Sequence, residues 1–237
     1  MRVLGIDTSA RIGAVGYRAG GRTVFSEQLA IKPGGSEQIP VLIEEAFART
    51  GHHLRELDLI TVGVGPGSYT GVRVGLAIGK GLAFGLGLPL VGVPSLAALA
   101  MNGRSEAALI CSLAKSRQGE VYAGLYRNTQ GFPVEVAPPA IWEVPRLAAV
   151  LKEEGRPVLF LGEVLDEIGQ DLAAALKEAA SFGRGPENIV DGANLAALGE
   201  AKWERTQTNE LDTVLPLYLR RTEAEVRWAE RSCRADV

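Results

Sequence analysis

Short runs of apolar residues broken by turn-formers open the chain. Residues 3–8, 13–18 and 23–29 read as three strands, because the intervening "SARIG" and "AGGR" hold the Gly and small polar residues that tight turns need. This predicts an antiparallel meander. The next segment, "SEQIPVLIEEAFARTG", changes period. Ile39, Leu42, Ile43, Ala46 and Phe47 recur at helical spacing, Ser36 suits an N-cap, Gly51 suits a stop, and Pro40 falls in the first turns, where its missing N–H costs least. "LDLITVGVG" then reads as a strand buried on both faces. It is followed by a glycine-rich loop, a helix from about Thr70 to Leu86, a strand at "PLVGV" and a helix from Ser95.

A similar order recurs after Gly103. "AALICSLA", "EVYAGLYR" and "FPVEVA" read as strands, "VPRLAAVLKEEG" as a helix and "PVLFLG" as a strand, with further helical stretches near 164–179 and 193–204. The prediction is a duplicated α/β chain with units at residues 1–103 and 104–237. The order resembles the ribonuclease-H-like unit that occurs twice in the actin, sugar kinase and heat-shock ATPase superfamily, a likeness that concerns fold and not function. The final stretch, "VLPLYLRRTEAEVRWAERSCRADV", has no counterpart in the first half. Its mixed charge predicts an exposed tail or a crossing helix.

Composition narrows the class. A chain of 237 residues with 46% hydrophobic and 22% charged residues has the makings of a folded protein. Residues 81–103 carry no charge until the segment ends, but Pro89, Pro94 and several glycines break the run, so no membrane span is expected. "MRVLGIDTSA" lacks the apolar core of an export signal, and the two cysteines, Cys111 and Cys233, are too few for a disulfide framework; a cytoplasmic protein is the expectation. Cys111 sits in an apolar run, as a buried thiol would. A formal charge of −3 argues against a stand-alone nucleic-acid binder, so any such role is shared with a partner.

The stretch "GVGPGSYTGVRVG", Gly63 to Gly75, invites comparison with phosphate-binding loops. Neither register satisfies G-x-G-x-x-G, since the sixth position is Ser68 or Thr70. "GLAIGKG" also misses the Walker spacing and puts Gly81 where a hydroxyl belongs. Gly71, Gly75 and Gly79 instead recur every four residues and form a smooth stripe along the predicted helix. Each interior glycine costs roughly 1 kcal/mol against alanine, which calls for a close-approaching backbone, either the protein's own sheet or a partner helix. The loop's free N–H groups leave anion binding chemically open, although an ordinary strand-to-helix turn accounts for the residues equally well. Asp7, Thr8 and Ser9, closing the first strand, are the candidate nucleotide-binding residues. Local turn chemistry is the alternative. His52 and His53 are the only histidines; being adjacent, they diverge by about 100° on a helix and form no two-ligand face. Neither a metal site nor a Ser-His-Asp triad can be assembled from the sequence, and no cofactor is predicted.

Taken in order, "GIDTSA", "SEQIPVLIEEAF", "VGVGPGSYTGVRVGLAIGKGLAFGLGLPLVGVPSLAALA" and the later "YLR" resemble the bacterial TsaB (YeaZ) family, specifically in the first half and more loosely in the second. The resemblance implies a non-catalytic subunit of the machinery that makes threonylcarbamoyladenosine at position 37 of tRNA. Such a subunit binds and activates its paralogue TsaD, helps recruit the ATPase TsaE, reaches tRNA through the complex, and forms a homodimer when alone. It also implies a helical partner interface that includes Ile39, Leu42, Ile43, Ala46, Phe47, Gly71, Gly75 and Gly79. The metal-binding "HMEGH"-like positions of the paralogue fall here on Ser95 to Leu99, "SLAAL", which lacks both histidines; leucine has no lone pair for a metal. One departure lies at Lys115, where many relatives carry an acid, while Arg117, Glu120 and Tyr122 are kept. The alternatives are a small-molecule kinase or ATPase of the same superfamily and, further off, a peptidase.

Overall fold

The computed structural model describes residues 1–31, 38–103 and 108–220. The first lobe begins with the expected meander: β1 (Arg2–Asp7), β2 (Ile12–Ala19) and β3 (Arg22–Ala30) pair antiparallel. Two parallel strands, β4 (Leu59–Gly63) and β5 (Leu90–Val93), complete a sheet of order β3-β2-β1-β4-β5. Helices α1 (Gln38–Thr50) and α2 (Tyr69–Leu86) cover one face, and α3 (Ser95–Ala100) follows β5. The proposed N-cap Ser36 lies outside the described residues.

The second lobe repeats this plan. β6 (Leu109–Lys115), β7 (Glu120–Thr129), β8 (Phe132–Glu143), β9 (Val158–Leu161) and β10 (Ala180–Phe182) form a sheet of order β10-β9-β6-β7-β8, position for position the order of the first. Helices α4 (Val144–Glu154) and α5 (Leu165–Leu176) pack on it around Leu113, Val121, Leu147, Leu151, Phe160 and Leu172. β8 runs well past the predicted "FPVEVA" despite Pro138 and Pro139. It is an edge strand, and its pairing with β7 shifts register between Ala123 and Leu125, so the prolines' missing N–H groups cost the ladder little. The three-residue β10 carries too little pattern to have been predicted.

Helix α6 (Gly192–Thr206) comes from the second half of the chain and lies against β1, β2 and β4 of the first lobe. Its approach is backbone to backbone. A Cβ on Gly16 would sit 2.0 Å from Ala193 N, and one on Gly5 would sit 2.3 Å from Gly192 O, so both positions admit only glycine without displacing the helix. The expectation that everything from residue 104 onward forms one unit thus meets an element that completes the first sheet. Val93, Leu96, Leu99, Ile110, Tyr126 and Leu195 join the lobes through a shared apolar cluster.

After α6 the chain runs along β5, the sheet's edge. Asn209 Oδ1 accepts from Leu90 N at 3.1 Å, Glu210 Oε2 from Gly92 N at 2.8 Å, and Lys202 Nζ donates to Gly92 O at 2.8 Å. Further on, Leu217 N donates to Val64 O at 2.8 Å. Residues 214–220 therefore follow the first lobe. The rest of the predicted tail, with Cys233, lies outside the described residues. No helix among the described residues is long and apolar enough to cross a membrane.

Candidate functional site

β4 ends at Gly63, and the loop passes through a cis Gly65–Pro66 peptide before α2 begins at Tyr69. Ser68 caps the helix, its Oγ accepting from Gly71 N at 3.2 Å. The loop is held by the turn after β1: Ser68 N donates to Ser9 O at 2.7 Å, and a Cβ on Gly67 would lie 2.2 Å from that oxygen. A second support is α3, where Ser95 Oγ accepts from Gly65 N at 3.0 Å and Ser95 N donates to Gly65 O at 2.8 Å. The glycines of the opening loop therefore serve a three-way backbone junction.

Asp7 sits inside that junction. Its Oδ1 accepts from Ser9 N at 2.8 Å and Ser9 Oγ at 2.7 Å, and its Oδ2 accepts from Ser95 Oγ at 2.5 Å. With 1% exposure the carboxylate does not reach the adjacent cleft. Thr8 and Ser9 do border the cleft, but Thr8 Oγ1 donates to Gly71 O at 2.7 Å. The three candidate nucleotide-binding residues are thus brought together, with their polar atoms largely engaged by the fold.

The glycine stripe faces inward. A Cβ on Gly71 would lie 2.1 Å from Thr8 O, one on Gly75 2.5 Å from Thr8 Oγ1, and one on Gly79 2.2 Å from Val62 Cγ1. Of the two readings open from sequence, the protein's own sheet is the neighbour. The other helix behaves alike: Ile39, Ile43, Ala46 and Phe47 are buried with Leu4, Tyr17 and Phe25, and Leu42 is half-buried against the same cluster, as are Ile78 and Leu82 of α2. Ile39, Ile43, Ala46, Phe47, Gly75 and Gly79 are thus turned toward the chain's own core, while Leu42 and Gly71 keep partial exposure. Apolar periodicity marks the face a helix buries, and here that face is taken by the chain itself.

Facing solvent on α2 are Arg73, Ala77, Gly81, Phe84 and Gly85, with Phe84 81% exposed. A Cβ on Gly81 or Gly85 would meet nothing within 4 Å. Val41 of α1 is 52% exposed. This second small-residue stripe, Ala77, Gly81 and Gly85, has the same four-residue spacing as the inner one and is equally legible in the sequence.

Between the lobes lies a cleft of about 700 Å³. Leu96, Leu99, Leu113 and Val190 line it, and Arg11, Lys115, Arg117, Glu163, Glu167 and Arg220 border it. Glu163 Oε2 accepts from Arg11 N across the lobes at 3.2 Å, and partial burial pushes its carboxyl above the usual range. Lys115 Nζ pairs with Glu167 Oε1 at 2.5 Å, and Arg220 pairs with Glu120, tying the chain's later segment to the β6–β7 turn. His52 is packed against the Tyr17 ring, centroids 5.3 Å apart, and is half-buried. Cys111 is fully buried, and burial pushes its thiol up.

Two similarly ordered five-stranded sheets enclosing a cleft give the chain the fold of the actin, sugar kinase and heat-shock ATPase proteins. The structure superposes on an activator of 2-hydroxyisocaproyl-CoA dehydratase from Clostridium difficile at TM-score 0.53 and 12% identity, covering 88% of this chain and 98% of that one, a likeness of fold alone. Residues 34–228 match the family model described as TsaD, tRNA N6-adenosine threonylcarbamoyltransferase. The tRNA threonylcarbamoyladenosine biosynthesis protein TsaB of Bacillus subtilis is 34% identical over 97% of this chain and 99% of its own. YeaZ from Pseudomonas aeruginosa superposes at TM-score 0.77 and 25% identity, over 92% of this chain and 99% of that one. The chain belongs to the TsaB (YeaZ) family, and these relatives support a role in tRNA threonylcarbamoyladenosine biosynthesis.

Proposed function

We propose that this chain is a non-catalytic subunit of the tRNA threonylcarbamoyladenosine machinery. In this reading it binds and activates a TsaD-like threonylcarbamoyltransferase, and the pair presents a surface for a TsaE-like ATPase. The observation that carries the reading is the outward face of α2. There Ala77, Gly81 and Gly85 leave a smooth track beside an exposed Phe84, so a partner helix can approach closely and bury the ring. A match to the transferase model across most of the chain supports a partner built on the same plan, which suits a pseudo-symmetric pairing of like helices; a homodimer of the isolated chain would use the same face.

The non-catalytic part rests on side-chain chemistry. Where the paralogous enzyme is expected to place metal ligands, this chain has Ser95, whose hydroxyl is spent on Asp7, and Leu99, which packs in the interlobe cluster. The engaged Asp7 likewise gives the kinase or ATPase alternative no specific support.

Co-expression with the TsaD-like partner, followed by sizing chromatography and mass measurement, tests the pairing. Phe84→Asp is expected to weaken association at least tenfold while leaving the melting of the isolated chain unchanged, because the ring is solvated there. Failure of the parent chain to associate, or undiminished tRNA modification when it is omitted from a reconstitution, overturns the proposal.

A further inference from the structure

Two features singled out from the sequence on separate grounds, Glu120 and the "YLR" that ends in Arg220, meet beside the interlobe cleft. Arg220 Nη2 donates to Glu120 Oε2, joining the segment that follows the first lobe to the start of β7 in the second. The two side chains are 28% and 29% exposed, so the pair is screened less than one standing in open water. Arg220 is also held in place before it reaches across. Tyr218 stacks its ring on Tyr69 of α2, centroids 5.1 Å apart, and Leu217 N donates to Val64 O at 2.8 Å. A cation whose backbone is pinned gives up less freedom on pairing, and that loss is what makes most surface ion pairs weak.

A second tie reaches the other way. Glu163, in the loop between β9 and α5, accepts through Oε2 from Arg11 N in the turn between β1 and β2, and both residues border the cleft, as Arg220 does. Each end of this bond is fixed by its own lobe. Gly162 has φ +139°, and a Cβ there would lie 2.1 Å from Leu113 O, so the loop is pressed onto β6 in a conformation that favours glycine. Asn188 Oδ1 accepts from Gly162 N at 3.2 Å and holds the loop from its other side. Across the cleft, Arg11 O accepts from Ile31 N at 2.8 Å.

Leu96, Leu99, Ile110, Tyr126 and Leu195 join the lobes through apolar contact. Such contact is non-directional, so it holds the lobes together without fixing the angle between them. Directed polar bonds beside the cleft do fix it, because a small tilt lengthens them past their working range. The free energies that separate two arrangements of a protein are of the size that one or two such bonds supply. We propose that Arg220–Glu120 and Glu163–Arg11 form a two-point clasp that sets the angle between the lobes. The segment after α6 is its strap, anchored on the first lobe and fastened to the second. Releasing either fastening lets the cleft widen. The clasp belongs to the chain alone and stands apart from the proposed role in tRNA modification.

Double electron–electron resonance between nitroxide labels on the full chain tests the clasp. Thr70→Cys on α2 and Gln170→Cys on α5 place one label on an exposed position of each lobe; Cys233→Ser removes one native thiol, and Cys111 is fully buried. The parent should give one narrow distance distribution. Arg220→Gln and Glu163→Ala should each raise the share of longer distances about threefold, and the two together about tenfold. Glu163→Gln should match the parent, because its amide oxygen still accepts from Arg11 N. Glu120→Arg should widen the cleft most by setting two cations together, and adding Arg220→Glu should return the parent distribution. Unchanged distances in Arg220→Gln or in Glu163→Ala overturn the two-point clasp, as does a charge-swapped chain that melts like the parent and stays open. Circular dichroism melts accompany every variant; where the swapped chain melts early, Arg220→Gln and Glu163→Ala decide the outcome.

Discussion

Gly79→Ala and Gly81→Ala place the same methyl group on opposite sides of one helix. At Gly81 the added carbon meets nothing within 4 Å, so the substitution should contribute only its helix propensity, a gain of about 1 kcal/mol. At Gly79 the same gain is opposed by a contact of 2.2 Å with Val62 Cγ1, far inside the ~3.5–4.0 Å of an ordinary carbon pair. Val62 cannot swing aside: it is fully buried on β4, and its β-branched side chain has few rotamers to try. Forcing a methylene-sized group into such a core costs typically ~1–3 kcal/mol, and relief of this overlap requires α2 to lift from the sheet, so the upper part of the range applies. Net destabilisation of Gly79→Ala should be about 1–2 kcal/mol, and the two variants should differ by about 2–3 kcal/mol. In a chain of this size that separates their thermal midpoints by roughly 5–10 °C. Circular dichroism melts of the purified chain, with urea titrations to confirm unchanged slopes, measure the difference. If Gly79→Ala is stabilised as much as Gly81→Ala, the inner stripe is not packed on the sheet and the assignment of the two faces is wrong.

Two further outcomes follow from buried groups. The carboxyl of Glu163 is raised by burial, so its contribution to stability is fully present below the ordinary glutamate range and is lost as pH rises through the elevated value. Glu163→Gln should therefore gain on the parent toward neutral pH and converge with it in acid; a pH series of urea denaturations that shows a constant gap refutes this. Cys111, buried and with its thiol pushed up, should resist iodoacetamide in the folded protein and react once urea unfolds it, as read by peptide mass spectrometry; rapid native labelling at that peptide would contradict the packing of β6.

Which parts of this architecture the chain declares in advance follows from the range of each signal. The meander β1 to β3 is visible because its turns are local and its strands alternate, and α2 is visible because a glycine loop and a capping serine precede its apolar run. The direction in which Gly71, Gly75 and Gly79 point is a tertiary fact. Four-residue spacing states that something comes close, and only the position of Thr8 and Val62 says what. Asp7 illustrates the same limit, since a carboxylate at the end of a first strand reads identically whether it faces a ligand or accepts from Ser9 and Ser95. α6 was legible as a helix, but its place on the opposite lobe depends on Gly5 and Gly16, more than 170 residues earlier by rough count, and no local pattern couples them. The outward stripe at Ala77, Gly81 and Gly85 carried a usable signal that the inner stripe's regularity overshadowed.

The segment running beside β5 has a bearing on strand addition at the edge of the first sheet. A parallel edge strand offers a row of amide and carbonyl groups to any other strand, and two proteins built on one plan would be especially apt to zip together there. Asn209, Glu210 and Lys202 occupy that row with side chains of the same molecule, so the strand is saturated before a neighbour arrives. A protein approaching this edge therefore meets side chains already in place and no open row of main-chain groups.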